Sequence, residues 1–182
     1  MKELVIYLAP STKSEYKNML KFANTLKNHP VGIRVPAEFS KIDTCDNTDY
    51  TIYNKNKIVL NGNTVAIFAI GKMMDMALDI AKKVKQEKNL DITVINPLFL
   101  TGLDETLLND LKKNHKLVIT LEDGELMGGY GQNISSFYGT SDILVKNFGI
   151  SKKFHTDFTA EDLLKENGMS VENISNIIEN ML

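Results

Sequence analysis

Val65-Ala-Ile-Phe-Ala-Ile70 is six apolar residues without a polar interruption, closed by Gly71. A strand with one wet face alternates apolar and polar residues. An unbroken run belongs to a strand covered on both faces, the usual state inside a parallel sheet flanked by two helical layers. The next stretch has a different period. Met73, Met74, Ala77, Ile80, Ala81 and Val84 recur at helical spacing on one face. The alternation repeats with a strand at Ile92–Ile95 ended by Pro97, a helix opened by Leu103-Asp104-Glu105, a strand at Leu117–Leu121, a helix over about Gly129–Phe137 and a strand at Ile143–Val145. Two acidic helices, from Ala160 and from Val171, close the chain. Strands and helices alternating through short connections predict a doubly wound, mostly parallel α/β sheet.

The first part of the chain has another organisation. An apolar run at residues 3–8 ends at Ala9-Pro10, and N-caps are available from Ser11 to Ser14. A helical pattern through Tyr16, Met19, Leu20, Ala23 and Leu26 comes next, stopped by His29-Pro30, and Val31–Val35 reads as a second strand. Residues 37–57 are polar, rich in Asn and Asp, and read as a linker with a β-like run at Tyr50–Tyr53. Asn61-Gly62 predicts a tight turn joining Ile58–Leu60 to Val65–Ile70 as a hairpin. A lone strand–helix–strand unit cannot cover both faces of its strands. Residues 1–36 are therefore expected to be the tail of a larger domain, and 58–182 a domain of their own.

Composition excludes several function classes. With 43% hydrophobic and 24% charged residues the chain is globular, and one cysteine, Cys45, rules out a disulfide scaffold. Of 21 basic residues only Arg34 is an arginine, and the net charge is −2, a poor basis for nucleic-acid binding. No apolar run approaches the ~20 residues that span a bilayer, and a cytoplasmic location is expected.

Few residues suggest chemistry. The loop from Glu122 to Gly131 leaves a strand and enters a helix, where doubly wound folds bind ligands, but carboxylates at 122, 123 and 125 would repel a phosphate. Its glycines are expected to let helix and strand pack closely. Asp123-Gly124 with Asn147, 22 residues lying between Gly124 and Asn147, imitates the Gly-Asp-Gly…Asn motif that holds Mg²⁺ and thiamine diphosphate, but Glu122 replaces the leading glycine and the gap is short. Cys45 has no histidine near it in sequence. His29, His115 and His155 stand singly, without metal-ligand spacing, and Ser11, Ser135 and Ser136 lack the glycine elbow of a nucleophile. Arg34, at a strand end beside Pro36, is a position where lysine was not used. A planar fork there suits either a structural carboxylate or a ligand.

Several segments, in this order, carry a resemblance: Ala9-Pro10-Ser11, Pro30–Pro36, Val65–Gly71, Asn96-Pro97-Leu98-Phe99 with Leu103-Asp104-Glu105, Val118–Glu122 with Met127–Gly131, and Phe148-Gly149-Ile150. The chain resembles the C-terminal third of the 1-deoxy-D-xylulose-5-phosphate synthases, thiamine diphosphate enzymes of the transketolase superfamily; the beta subunits of 2-oxo acid dehydrogenases share parts of the plan. The resemblance implies a tail of the pyrimidine-binding domain at 1–36, a linker at 37–57 and a transketolase-type C-terminal domain at 58–182. It also implies a homodimer, upstream domains that carry the thiamine diphosphate and Mg²⁺ sites, and no catalytic, cofactor or metal residue in this chain. Arg34 would lie at the substrate-side edge. The family usually places a second arginine after the proline as the substrate phosphate contact, and here that position is Ala37. Thr101-Gly102 replaces a Lys-Pro pair of the family. A different class of function is a separate non-catalytic subunit or interaction module that completes a partner's sheet.

Overall fold

The computed structural model describes residues 5–43, 45–154 and 156–182. In chain order the elements are β1 (Ile6–Leu8), α1 (Lys13–Thr25), β2 (Val31–Ile33), β3 (Lys57–Leu60), β4 (Thr64–Ala69), α2 (Met73–Lys88), β5 (Thr93–Asn96), α3 (Glu105–Leu111), β6 (His115–Glu125), α4 (Tyr130–Tyr138), β7 (Leu144–Ile150), α5 (Ala160–Glu166) and α6 (Val171–Met181). Among the described residues these strands form two sheets, a parallel pair β1-β2 and a five-stranded sheet ordered β3-β5-β4-β6-β7.

β4 lies at the centre of the larger sheet, parallel to β5 on one side and to β6 on the other, as its unbroken apolar run requires. One face packs on α2 and α6 through Ile67, Ala77, Ile80, Ile119, Ile174 and Ile178. The other packs on α3 and α4 through Phe68, Leu108, Val118, Ile134 and Tyr138. All six residues expected on the buried face of α2 are buried. Each large aliphatic among them contributes about 1.5–3 kcal/mol by leaving water. The expected doubly wound, mostly parallel architecture is the observed one.

Two local expectations are overturned. Asn61-Gly62 does not close a hairpin: β3 pairs antiparallel with β5, not with β4. The turn instead passes under the start of β5, with Asn63 N donating to Asp91 O at 2.9 Å and Gly62 N to Thr93 Oγ1 at 3.1 Å. A Cβ on Gly62 would lie 2.2 Å from Asp91 O, so glycine serves this close approach. Tyr50–Tyr53 is no strand either. Asp49 Oδ1 accepts from Thr51 N and Oγ1 and closes a turn, while the rings of Tyr50 and Tyr53 pack against Phe22 and Phe99.

The β1-α1-β2 unit is docked on the large sheet. α1 starts with a capping box in which Glu15 N donates to Thr12 Oγ1. Leu98, buried at φ +62, turns the chain after Pro97 so that residues 98–100 run beside β1. Ala9 N donates to Leu98 O, Leu100 N donates to Tyr7 O, and Leu8 bridges Phe99 in antiparallel fashion. A third apolar cluster of Ile6, Leu8, Met19, Phe22, Tyr50, Leu98 and Phe99 fills the seam.

Candidate functional site

α2 comes after β4 on one face of the sheet, and α4 after the neighbouring β6 on the other. Adjacent parallel strands whose connections leave to opposite faces open a crevice at their carboxyl ends, the ligand position of doubly wound folds. Here it lies between Gly71, just after β4, and Glu122–Gly124 in the last part of β6.

The protein fills that crevice with its own side chains. Arg34, just past β2, reaches in. Its Nη2 lies 2.6 Å from Asp123 Oδ1, with the two side chains 27% and 24% exposed. Nη1 lies 3.5 Å from the Cβ position of Gly71, which adopts φ +57, and Nη2 lies 3.6 Å from that of Gly124. The structural carboxylate that could explain a lone arginine is therefore present.

The anion position at the start of α4 is filled as well. Glu122 is buried, and its Oε2 and Oε1 accept from Tyr130 N at 2.8 Å and Gly131 N at 2.7 Å. Burial pushes the Glu122 carboxyl above its ordinary range, opposed by these two amides and by the charge on Arg34. A Cβ on Gly129 would stand 2.8 Å from both Glu122 oxygens, and one on Gly131 would stand 2.3 Å from Thr120 Oγ1. The loop glycines thus permit close packing of helix on strand.

Asp123 and Asn147 do not converge. Asn147 Oδ1 accepts from Thr120 Oγ1 at 2.9 Å, and its Nδ2 donates to Gly131 O and to Ser135 Oγ at 3.0 and 2.8 Å. With Asp123 on Arg34, these residues do not fit a Mg²⁺–diphosphate group. Among the described residues no three His, Cys, Asp or Glu side chains gather as a metal site. Cys45 is a free, exposed thiol. His115 sits at the opposite end of the sheet, its Nε2 2.8 Å from Thr93 Oγ1 and its Nδ1 3.2 Å from Leu111 O. His155 lies outside the described residues. Beside Asp123 a cleft of 370 Å³ opens between Ala37, Lys72, Met73, Ile150 and Leu164.

One polar cluster had little signature in the sequence. Glu15 Oε2 accepts from Ser11 N at 2.8 Å, and both its oxygens lie 3.1 Å from Asn96 Nδ2. Lys57 Nζ lies 3.2 Å from Glu15 Oε1 and 3.7 Å from Asp46 Oδ1. Asp46 also accepts from Thr48, Tyr50 and Asn18. This network joins α1, the 37–57 segment, β3 and β5. Only the Thr12-x-x-Glu15 pattern of a capping box announced any part of it.

Sheet order and crevice define a doubly wound α/β domain with a βαβ unit docked at its switch point. The chain belongs to the transketolase C-terminal domain family, which matches residues 54–174. It is similar to the 1-deoxy-D-xylulose-5-phosphate synthase of Alkaliphilus oremlandii, at 32% identity over 171 residues, covering 92% of this chain and 27% of that protein. The corresponding Clostridium perfringens enzyme is 32% identical over 187 residues, covering 96% and 28%. The chain thus spans between a quarter and a third of the length of these relatives. Among solved structures, a split gene transketolase described as an inactive beta4 tetramer superposes with a TM-score of 0.80 at 23% identity, over 98% of this chain and 58% of that one. The Campylobacter jejuni transketolase gives 0.71 at 14%, over 97% and 26%. At these identities the two structures speak for the fold alone. Among the described residues no helix is long and apolar enough to cross a membrane.

Proposed function

We propose that this chain is the C-terminal part of a thiamine diphosphate-dependent, 1-deoxy-D-xylulose-5-phosphate synthase-like transferase, of the type that joins pyruvate to glyceraldehyde 3-phosphate for isoprenoid precursors. In this reading it gives dimer contacts and structural support and is not catalytic alone. The observation that carries the reading is similarity along 92–96% of the chain to about 27–28% of enzymes of that name. The proposed division is 1–36 as the tail of the pyrimidine-binding domain, 37–57 as linker and 58–182 as the C-terminal domain. The filled crevice supports it. Where a ligand would sit, Arg34 from the first unit is held by Asp123 of the second, so a ligand position serves as a socket between units. Arg34 remains the proposed substrate-side residue, with its guanidinium oriented by Asp123.

Thiamine diphosphate and Mg²⁺ belong, in this proposal, to upstream domains. A thermal melt of the chain with both present tests it. Binding at a hundred times the dissociation constant would add about 2.7 kcal/mol. No shift and no pyruvate decarboxylation are expected, and either a clear shift or turnover above blank overturns the reading.

A second reading is a separate subunit that completes a partner's sheet. It is favoured by the outer edge of β2, unpaired among the described residues, and by the exposed Val5, Tyr7 and Val35. The split-gene description of the first structural neighbour points the same way. Intact mass of the native protein separates the two readings: a chain several times longer rejects the separate subunit.

A further inference from the structure

Asn61-Gly62 plays no part in the function proposed above. It is one of two Asn-Gly pairs in the chain, the other being Asn167-Gly168. Such a pair is chemically labile, because glycine has no side chain to keep its nitrogen away from the amide carbon of the preceding asparagine. The fold treats the two pairs differently. Asn167 is locked: its Oδ1 accepts from Ser151 N and its Nδ2 donates to Leu163 O, both at 2.8 Å. Gly168 N donates to Lys165 O at 3.0 Å. Asn61 is exposed, and among the described residues nothing holds its side-chain amide.

At the first pair only the glycine nitrogen is held, through its 3.1 Å hydrogen bond to Thr93 Oγ1. Thr93 is buried, and its Oγ1 also lies 2.8 Å from His115 Nε2, with His115 Nδ1 3.2 Å from Leu111 O. A carbonyl only accepts, so in the neutral ring Nδ1 carries the proton and Nε2 accepts from the Thr93 hydroxyl. That leaves a lone pair of Oγ1 for the Gly62 N–H. The turn that follows is strained. Val65 N donates to Asn63 O at 2.6 Å across Thr64, a β-branched residue at φ +63. Such a backbone persists only while surrounding bonds hold it, and the Gly62–Thr93 bond is one of them.

We propose that Asn61 is a self-modification site whose rate is set by Thr93. Gly62 N attacks Asn61 Cγ, and the new N–C bond closes a succinimide ring as the Cγ–Nδ2 bond breaks. Nδ2 leaves as ammonia, taking the proton lost from Gly62 N. Water then opens the ring at either carbonyl, giving aspartate or isoaspartate at position 61. Water is the only co-reactant. With its N–H on Thr93, Gly62 N is held back from Asn61 Cγ, so the reaction proceeds when that bond opens. The site depends on this turn and not on the parent reaction.

Peptide mass mapping of the full chain, aged in mildly alkaline buffer, tests the proposal, with isoaspartate counted by a protein isoaspartyl methyltransferase. In the folded wild type Asn61 should convert about tenfold faster than Asn167, and in strong urea the two should convert at similar rates. Thr93→Val should speed conversion at Asn61 about fivefold, the weight of one net hydrogen bond, and leave Asn167 unchanged, while Thr93→Ser should keep the wild-type rate. A readout free of mutation is hydrogen exchange: across urea concentrations below unfolding, conversion at Asn61 should rise in step with exchange of the Gly62 amide. No conversion at Asn61, conversion at Asn167 as fast in the folded chain, a Thr93→Val rate at Asn61 no higher than wild type, or conversion that ignores Gly62 exchange would each overturn it.

Discussion

Arg34 and Asp123 stand 89 residues apart in sequence and 2.6 Å apart in space. Both are partly exposed, so solvent screens the pair, and a double-mutant cycle through Arg34→Ala and Asp123→Ala should return a coupling of about 1 kcal/mol in urea unfolding. Arg34→Lys should recover only part of it, because an ammonium cannot lie flat between Gly71 and Gly124 as a guanidinium does. His115 offers a prediction in pH. Burial lowers its pKa below 6.5, only partly opposed by the Leu111 carbonyl. The unfolded chain therefore takes up the proton first. Stability should be complete above pH 6.5 and fall as pH drops from there toward the lowered folded value. His115→Gln should flatten that part of the curve. Arg34 was legible in sequence as the lone arginine. Asp123 as its partner was not, because no local period encodes which strand ends meet.

At the scale of elements, the helices declared themselves and the strand partners did not. The buried face of α2 could be read directly from its spacing, since a helix face depends on residues three and four apart. The Asn61-Gly62 signal was real as a turn but silent on the partner, and β5, which begins only at Thr93, took the place beside β3 that the hairpin reading gave to β4. The 37–57 segment shows the same limit: its polar composition hid a buried Asp46 and Tyr50. Lys57→Met should leave Glu15 and Asp46 without their cation and destabilise the fold by about 2–4 kcal/mol, measurable by urea unfolding. Burial pushes the Asp46 carboxyl upward, but hydrogen bonds from Thr48, Tyr50 and Asn18 outweigh this and hold it below 3.8. Its contribution is thus present above pH 3.8 and lost as pH falls through the folded value, and Asp46→Asn should remove that acid sensitivity. Gly131→Ala, placing a methyl 2.3 Å from Thr120 Oγ1, should cost about 1–3 kcal/mol in the same assay.

For the whole molecule, the βαβ unit and the large sheet share a core cluster, a backbone bridge at Leu8–Phe99 and the Lys57 network. Tyrosine fluorescence, sensitive to Tyr50 in the seam, and far-ultraviolet circular dichroism should therefore report one coincident urea transition. Two separated transitions would mean that the seam is weaker than its contacts imply. The amino-acid sequence by itself determined the α/β class, the helix faces, the positions of the strands other than the false run at Tyr50–Tyr53, and the family resemblance, because periodicity, caps and short motifs act over a few residues. The tertiary structure alone decided the order of strands, the partner of β3, the docking of the first unit and the filling of the ligand crevice by Arg34, Asp123 and Glu122. Those outcomes depend on which distant surfaces leave water together and which buried charges find an opposite charge, and both are settled only when the whole chain packs.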